Sequence, residues 1–327
     1  MAVAQSSIGT QASALARDLT LRSSPAVTQI PKFVYGTAWK KDRTADLVYK
    51  AIKNGFRGID TAAQPKHYDE ASVGRGVARA VTDGLARRQD LFVGVFPAPS
   101  LGDKSSKIQT KFTPPNGQSE IKPYSTDSPI QEQVRQSLQS SLENFKVDDQ
   151  TPYLDSVVIH SPYQDFGDTL TVWKTLEEYT PDTIRNLGIS NTDLDTLKML
   201  HEQAQVKPAV VQNRFYNGTA YEVELREFCN SHGIIFQSFW TLSANPKLAK
   251  SPPVLDVAQL AGVDREVAYY ALVLGLEGLI ILNGTTNESH MGGDLAGIDK
   301  VGTWAESDGA DDWATALESF KVLIGQD

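Results

Sequence analysis

From Phe33 onward the apolar positions fall into short dense blocks, and between the blocks they thin out to a helical spacing. The blocks are "FVYGTA" (33–38), "RGIDTA" (57–62), "SVVIHSP" (156–162), "IRNLGIS" (184–190), "AVVQNRF" (209–215), "IIFQSFW" (234–240) and "LIILNG" (279–284). They run continuously apolar and β-branched instead of alternating, which predicts strands buried on both faces, as in a parallel sheet. Thr44 to Asn54 predicts a helix ended by Gly55, and another starts at about Glu70. Ser128-Pro129-Ile130-Gln131 offers an N-cap, a proline at the first helical position and a capping-box glutamine. Val134, Leu138, Leu142 and Phe145 then follow at helical spacing. Asp168 is the expected cap before Leu170, Trp173 and Leu176, and Asn191 or Thr192 the expected cap before Leu194, Leu197 and Leu200.

One strand remains to be placed, with two registers available: Leu91 to Phe96, or Ile108 to Phe112. The stretch "GVFPAPSLGDKSSK" (94–107) is rich in Pro, Ser, Gly and Lys, which is loop chemistry. We therefore read 94–107 as an insert and 108–112 as the strand. Eight strands alternating with helices over roughly 290 residues match a closed (β/α)8 barrel. No GxGxxG follows the first strand, which argues against an open dinucleotide-binding sheet. The expected organisation is a flexible N-terminal arm over 1–31 and a single α/β barrel domain over 32–327.

Charge and cysteine content narrow the function classes. A net charge of −9 repels phosphate backbones, so nucleic acid is not an expected partner. No apolar run approaches the ~18 residues of a membrane span, and no secretory h-region opens the chain. Cys229 is the single cysteine, which excludes an intrachain disulfide, fits a reducing, cytoplasmic setting, and sits in a helical pattern as a packing residue. The expectation is a monomer or weak dimer acting on a small molecule, with no metal.

In a (β/α)8 barrel, reacting groups project from the carboxyl ends of the strands. Asp60, Lys111 and His160 fall at the ends of the second, third and fourth strands; Ser190 and Asn191 close the fifth, Gln212 lies in the sixth, and Tyr68 leads off the second loop. A phenol titrates near pH 10, and a neighbouring ammonium held by a carboxylate lowers that value. The phenol can then protonate an alkoxide while a histidine N–H orients the carbonyl. Such a set reduces carbonyls if a nicotinamide cofactor supplies hydride.

"YGTAW", "AIKNGFRGIDTA", "EASVGRGV", "QTKF", "LDSVVIHSP", "IRNLGISN" and "AVVQNRFY" together resemble the aldo-keto reductase superfamily, with fungal members the most similar in wording. The resemblance implies Asp60 as the carboxylate, Tyr68 as the acid, Lys111 as the lysine that lowers its pKa and His160 as the orienting histidine. Ser190, Asn191 and Gln212 would bind the nicotinamide carboxamide, and Gly284, Thr285 and Thr286 the cofactor phosphates. NADP(H) is the implied cofactor, with NAD(H) possible, and an aldehyde or ketone the implied substrate. The sequence departs from the family pattern in several places. The tyrosine follows the aspartate by eight residues instead of five, so His67 is the position that aligns. Asn283 and Ser289 stand where the family often has cations for the adenosine 2′-phosphate, and Gln237 where an aromatic usually stacks on nicotinamide. Two alternatives stay open on these residues: a cofactor-binding regulator with impaired catalysis, and a Schiff-base aldolase using Lys111.

Overall fold

The computed structural model describes residues 12–21, 28–87, 107–146 and 152–326. Two short strands come first, β1 (Leu19–Leu21) and β2 (Thr28–Ile30), paired antiparallel. Eight more follow: β3 (Phe33–Gly36), β4 (Gly58–Asp60), β5 (Lys107–Phe112), β6 (Ser156–Ile159), β7 (Leu187–Ser190), β8 (Val210–Arg214), β9 (Ile235–Phe239) and β10 (Leu279–Asn283). These eight close in sequence order, all parallel, with β10 returning to β3. The helices of the barrel wall are α1 (Thr44–Lys53), α2 (Glu70–Thr82), α3 (Ile130–Asn144), α4 (Phe166–Glu177), α5 (Leu194–Gln203), α6 (Val223–Ser231), α7 (Pro252–Ala261), α8 (Arg265–Leu274), α9 (Glu288–Ala305) and α10 (Ala310–Leu323). The expected single-domain (β/α)8 barrel is the observed fold.

The strands are short and run continuously apolar where both faces are covered; β4, β5, β6 and β7 have no exposed position. The helices cover the outer face with residues at helical spacing, such as Leu47, Val48, Ala51 and Ile52 of α1. Gly55 ends α1 with φ +106°, a backbone region that glycine enters without steric penalty.

The third barrel position is taken by β5, whose Asp60↔Gln109 and Lys111↔Val158 pairings fix its register. Lys107 is its first residue, so the strand begins one residue before the expected boundary. The remainder of the 94–107 insert, and the alternative strand 91–96, lie outside the described residues.

Several expectations about ends and margins are corrected. Asp165, not Asp168, caps α4, its carboxylate accepting from Gly167 N at 2.6 Å. Asp193, not Asn191 or Thr192, caps α5 through Thr196 N at 2.7 Å. The capping box predicted for α3 does not form; Gln133 instead donates back to the Ser128 carbonyl at 2.8 Å. For α4 and α5 a nearer carboxylate already lies in capping geometry, whereas α3 has Pro129 at its N-cap and no side-chain cap. The described parts of the expected arm are also packed, not free. Leu21 and Ile30 are buried with Val34, Val210, Ile235 and Ile280, and Ser13 N donates to Asp299 at 2.9 Å.

Candidate active site

The register of the sheet puts five polar side chains inside the barrel. Gln109 and Lys111 alternate along β5 and so share its inner face; Asp60 sits opposite Gln109, and Gln212 opposite Gln237. Gln109 Nε2 donates to Asp60 Oδ1 at 2.8 Å and to Gln237 Oε1 at 2.6 Å. Gln212 Nε2 donates to the same two oxygens, at 3.1 and 2.9 Å. Gln237 closes the loop by donating to Gln109 Oε1 at 3.0 Å. Buried amides are costly unless paired, and this network pairs them while holding Asp60 in place.

Lys111 Nζ donates to both Asp60 oxygens at 2.7 Å and to the Thr61 carbonyl at 2.8 Å. Lysine has three N–H donors, and all three are occupied. Burial draws the ammonium below the usual lysine range, with Asp60 and Glu70 opposing it. Glu70 is itself buried at the start of α2, where it accepts from Thr110, Ser141 and Asn144. These bonds clamp α2 to β5 and α3 just after the loop that carries Tyr68.

That loop leaves β4 and places Tyr68 over the ion pair. Its ring lies 5.3 Å from Lys111 Nζ and packs edge-on against His160 with ring centres 5.9 Å apart. Among the described residues its phenol oxygen has no hydrogen-bond partner, and Tyr68 lines the cleft at the barrel mouth. The sequence-based expectation that Lys111 hydrogen-bonds and acidifies this phenol is corrected here. The ammonium is engaged by Asp60 and Thr61, and burial followed by the Asp60 charge pushes the phenol up instead. His67 is held differently, its ring 3.8 Å from that of Trp39 and its Nδ1 buried without a partner.

His160 ends β6 and keeps a neutral imidazole. Burial, with the Lys111 and His67 charges added, pushes its pKa down to about 3. Its Nδ1 lies 2.7 Å from the hydroxyl of Thr113. That hydroxyl has no other partner among the described residues, and donating it to Nδ1 would leave the ring proton on Nε2. Asp60, Tyr68, Lys111 and His160 are thus brought together.

The cleft above them has a volume of about 790 Å³. Ser190, Asn191 and Gln212 form part of its wall. Ser190 Oγ donates to the Gln212 carbonyl at 2.6 Å, and Asn191 Nδ2 donates to the His160 carbonyl at 2.8 Å. Gly284 and Thr285 also line it, and Lys40 Nζ bonds the Gly284 carbonyl; Thr286 is not part of the wall. Gln237 does not reach the cleft, being fully buried in the amide network. Phe239, two residues further along the same face of β9, does reach it, as does Trp240.

Three residues of the mouth share a backbone feature that the sequence does not show. Trp39, Asn191 and Trp240 all have left-handed backbones, with φ +64°, +52° and +56°. Each follows a barrel strand closely and lies in a backbone region that non-glycine residues rarely occupy. Arg214 lies 4.5 Å from the Trp240 ring centre. His290 lines the cleft, as do Asp294, Asp264 and Glu266. The signal for these residues is their place just after strands or at helix starts, which the chain pattern shows only once the barrel is assumed. Cys229 is buried with its thiol pushed up to about 12, as a packing residue should be. No group of metal-ligating side chains occurs among the described residues, and no described helix is long and apolar enough to cross a membrane.

Comparison with known proteins follows the same line. The Aldo/keto reductase family pattern matches residues 33–250. An NAD(P)H-dependent D-xylose reductase of Pachysolen tannophilus is 26% identical over 260 residues, covering 70% of this chain and 71% of that protein. A glyoxal reductase of Bacillus subtilis is 30% identical over 220 residues, covering 67% of this chain and 64% of its own length. Among solved structures, a Bombyx mori aldo-keto reductase in complex with NADP superposes with a TM-score of 0.68 at 21% identity. That superposition covers 93% of this chain and 92% of the other.

Proposed function

The chain belongs to the aldo/keto reductase family, and from that premise we propose that it reduces an aldehyde or ketone to an alcohol with Tyr68 as general acid. The observation that carries the reading is the free Tyr68 hydroxyl in the cleft, set between the neutral His160 imidazole and the buried Lys111–Asp60 pair. A nicotinamide nucleotide, when bound, supplies the hydride. The residues present suit its reactive end. Gln212 Oε1 and Asn191 Oδ1 have no partner among the described residues and can accept from a carboxamide. Phe239 offers an aromatic face beside them, and Lys40 a cation suited to a diphosphate.

The protein groups then have separate tasks. His160 Nε2–H and the Tyr68 hydroxyl both donate to the substrate carbonyl oxygen and orient it. As negative charge grows on that oxygen, the Lys111 ammonium lies near it in a site of low dielectric, where a fixed charge acts strongly. Tyr68 finally gives up its proton. Its raised pKa keeps it protonated at neutral pH, and an alkoxide is basic enough to take the proton even so. Asp60 acts through Lys111, holding the ammonium charged and fixed against the pull of burial.

The aldolase alternative loses support because Lys111 Nζ is buried, fully hydrogen-bonded and absent from the cleft wall. A regulator with impaired catalysis is separated from the leading reading by turnover. Tyr68→Phe should lower kcat by about 10²- to 10⁴-fold, the usual contribution of a general acid, while leaving quenching of tryptophan fluorescence by the nucleotide in place. Retained turnover in this variant would remove Tyr68 from the acid role.

A further inference from the structure

The interior of a (β/α)8 barrel is ordinarily filled by layers of branched apolar side chains. In this protein the space below the cleft holds Asp60, Gln109, Gln212 and Gln237, each no more than 5% exposed. They come from two pairs of neighbouring strands, β4 with β5 and β8 with β9, which stand on opposite sides of the barrel. The bonds between Gln109 and Gln237, at 2.6 and 3.0 Å, therefore cross the barrel interior. Three buried amides cost more than an apolar layer of the same volume unless every one is paired. Packing alone gives no reason for them.

Their donors and acceptors interlock. An ionised carboxylate only accepts, so Gln109 and Gln212 must both turn Nε2 toward Asp60 Oδ1. Each Nε2 then has a second N–H, and both meet Gln237 Oε1, at 2.6 and 2.9 Å. Gln237 cannot flip, because its own Nε2 would then face two donors; as it stands, that nitrogen donates to Gln109 Oε1. Among the described residues Gln237 makes no bond to Asp60 and does not line the cleft. It nevertheless holds the two amides that supply two of the three hydrogen bonds at Asp60 Oδ1, the third coming from Lys111 at 2.7 Å. Oδ2 accepts from Lys111, also at 2.7 Å. The orientation of the carboxylate toward the ammonium is thus set from across the barrel.

We propose that Gln237 is a positioning residue of the reaction: it locks Gln109 and Gln212 with their N–H groups toward Asp60, and so fixes where the Lys111 ammonium stands. The inference rests on the proposed carbonyl reduction, in which that charge acts on the substrate oxygen. Gln237→Met keeps an unbranched side chain of similar length without its donor or acceptor. It should lower kcat by about 10- to 100-fold, the cost of a small misplacement, while KM and nucleotide quenching of tryptophan fluorescence change by less than about threefold. Gln237→Glu separates bonding from packing. A protonated carboxyl can accept from both amides and donate to Gln109 Oε1, repeating all three bonds. Burial and the Asp60 charge hold such a carboxyl protonated above its ordinary value of about 4.3. At about pH 6 the Glu variant should therefore recover kcat to within about threefold of wild type. Its kcat should then fall as rising pH ionises the new carboxyl, a limb the wild-type profile lacks. Gln109→Met, made from the other side of the barrel, should show the same loss of kcat and serves as the second variant if Gln237→Met fails to fold. Wild-type kcat in the Met variants, or equal impairment of Gln237→Met and Gln237→Glu at that pH, would overturn the role of Gln237 and leave the proposed reaction standing. A wild-type protein that turns over no aldehyde or ketone would overturn both.

Discussion

At the scale of the residue, the site depends on which charge states the fold allows. His160 is the clearest case. Its pKa of about 3 lies below the ordinary histidine value near 6.5. The folded protein therefore holds the neutral ring across a range in which the unfolded chain takes up a proton. Unfolding binds protons between those two values, so the contribution to stability is whole above about pH 6.5 and is lost as pH falls toward 3. The full loss is on the order of 5 kcal/mol. His160→Gln removes the titration, and its melting temperature should fall less steeply than wild type between pH 6.5 and 4. Parallel curves for the two proteins would rule out a buried neutral imidazole. The same neutrality suits the proposed reaction, in which a Thr113 hydroxyl donating to Nδ1 would leave the proton on Nε2.

Residue types made much of this legible. An Asp, a Lys and a His at successive strand ends are unlike ordinary loop polarity, and the barrel register joins them. The protonation of Tyr68 was not legible, since it depends on whether Lys111 has a donor left over. Three oxygens from Asp60 and Thr61 decide that, and only the fold brings the Thr61 carbonyl into range. The Gln237 position misled for a similar reason. Gln237 and Phe239 share one strand face, and depth in the barrel, not sequence, makes one a network amide and the other a cleft wall.

At the scale of the element, α2 carries the burden of positioning. Glu70 at its first turn bonds to β5 and α3, and two glycines let it approach its neighbours closely. A Cβ at Gly74 would stand 1.9 Å from the Asn144 carbonyl oxygen of α3, and one at Gly76 would stand 2.6 Å from the Ala45 carbonyl oxygen of α1. Glycine weakens a helix interior by about 1 kcal/mol relative to alanine, so only close packing justifies it here. Gly74→Ala should lower stability by about 2–3 kcal/mol, the range for overpacking, and loosen the Glu70 contacts beneath the Tyr68 loop. Gly293→Ala in α9, where a Cβ meets nothing within 4 Å, is the matched control and should be neutral or stabilising by up to ~1 kcal/mol. Thermal unfolding of the two variants checks the contrast, and equal melting temperatures would refute it. Elements of this length announce themselves through periodic apolar positions. Their caps do not, because Asp165 and Asp193 compete with nearby polar residues of similar capping ability, and the incoming chain direction selects among them.

At the scale of the whole molecule, the barrel has two ends with different tasks, and the chain closes one before it builds the other. The strand carboxyl ends open into the cleft, while β1 and β2 cover the opposite end. There Leu21 and Ile30 lie against Val34, Val210, Ile235 and Ile280, residues at or near the starts of barrel strands. Polar ties reinforce the cover. Asn186 donates to Thr28 at 3.0 Å, Lys32 to the Ala14 carbonyl at 2.7 Å, and Lys107 to the Gln29 carbonyl. The scattered serines and alanines of the first 31 residues hid this role, since three-residue strands leave almost no periodic trace. Removing residues 1–31 should cost on the order of 5 kcal/mol, from exposing Leu15, Leu21 and Ile30 contacts worth about 1.5–3 kcal/mol each, and should uncover apolar strand starts that promote association. The cleft lies at the far end, so nucleotide quenching of tryptophan fluorescence should survive in whatever fraction of the shortened protein stays folded. A truncated protein that melts at the wild-type temperature would show that the barrel floor closes without these strands, and that its inner residues pack well enough to exclude water alone.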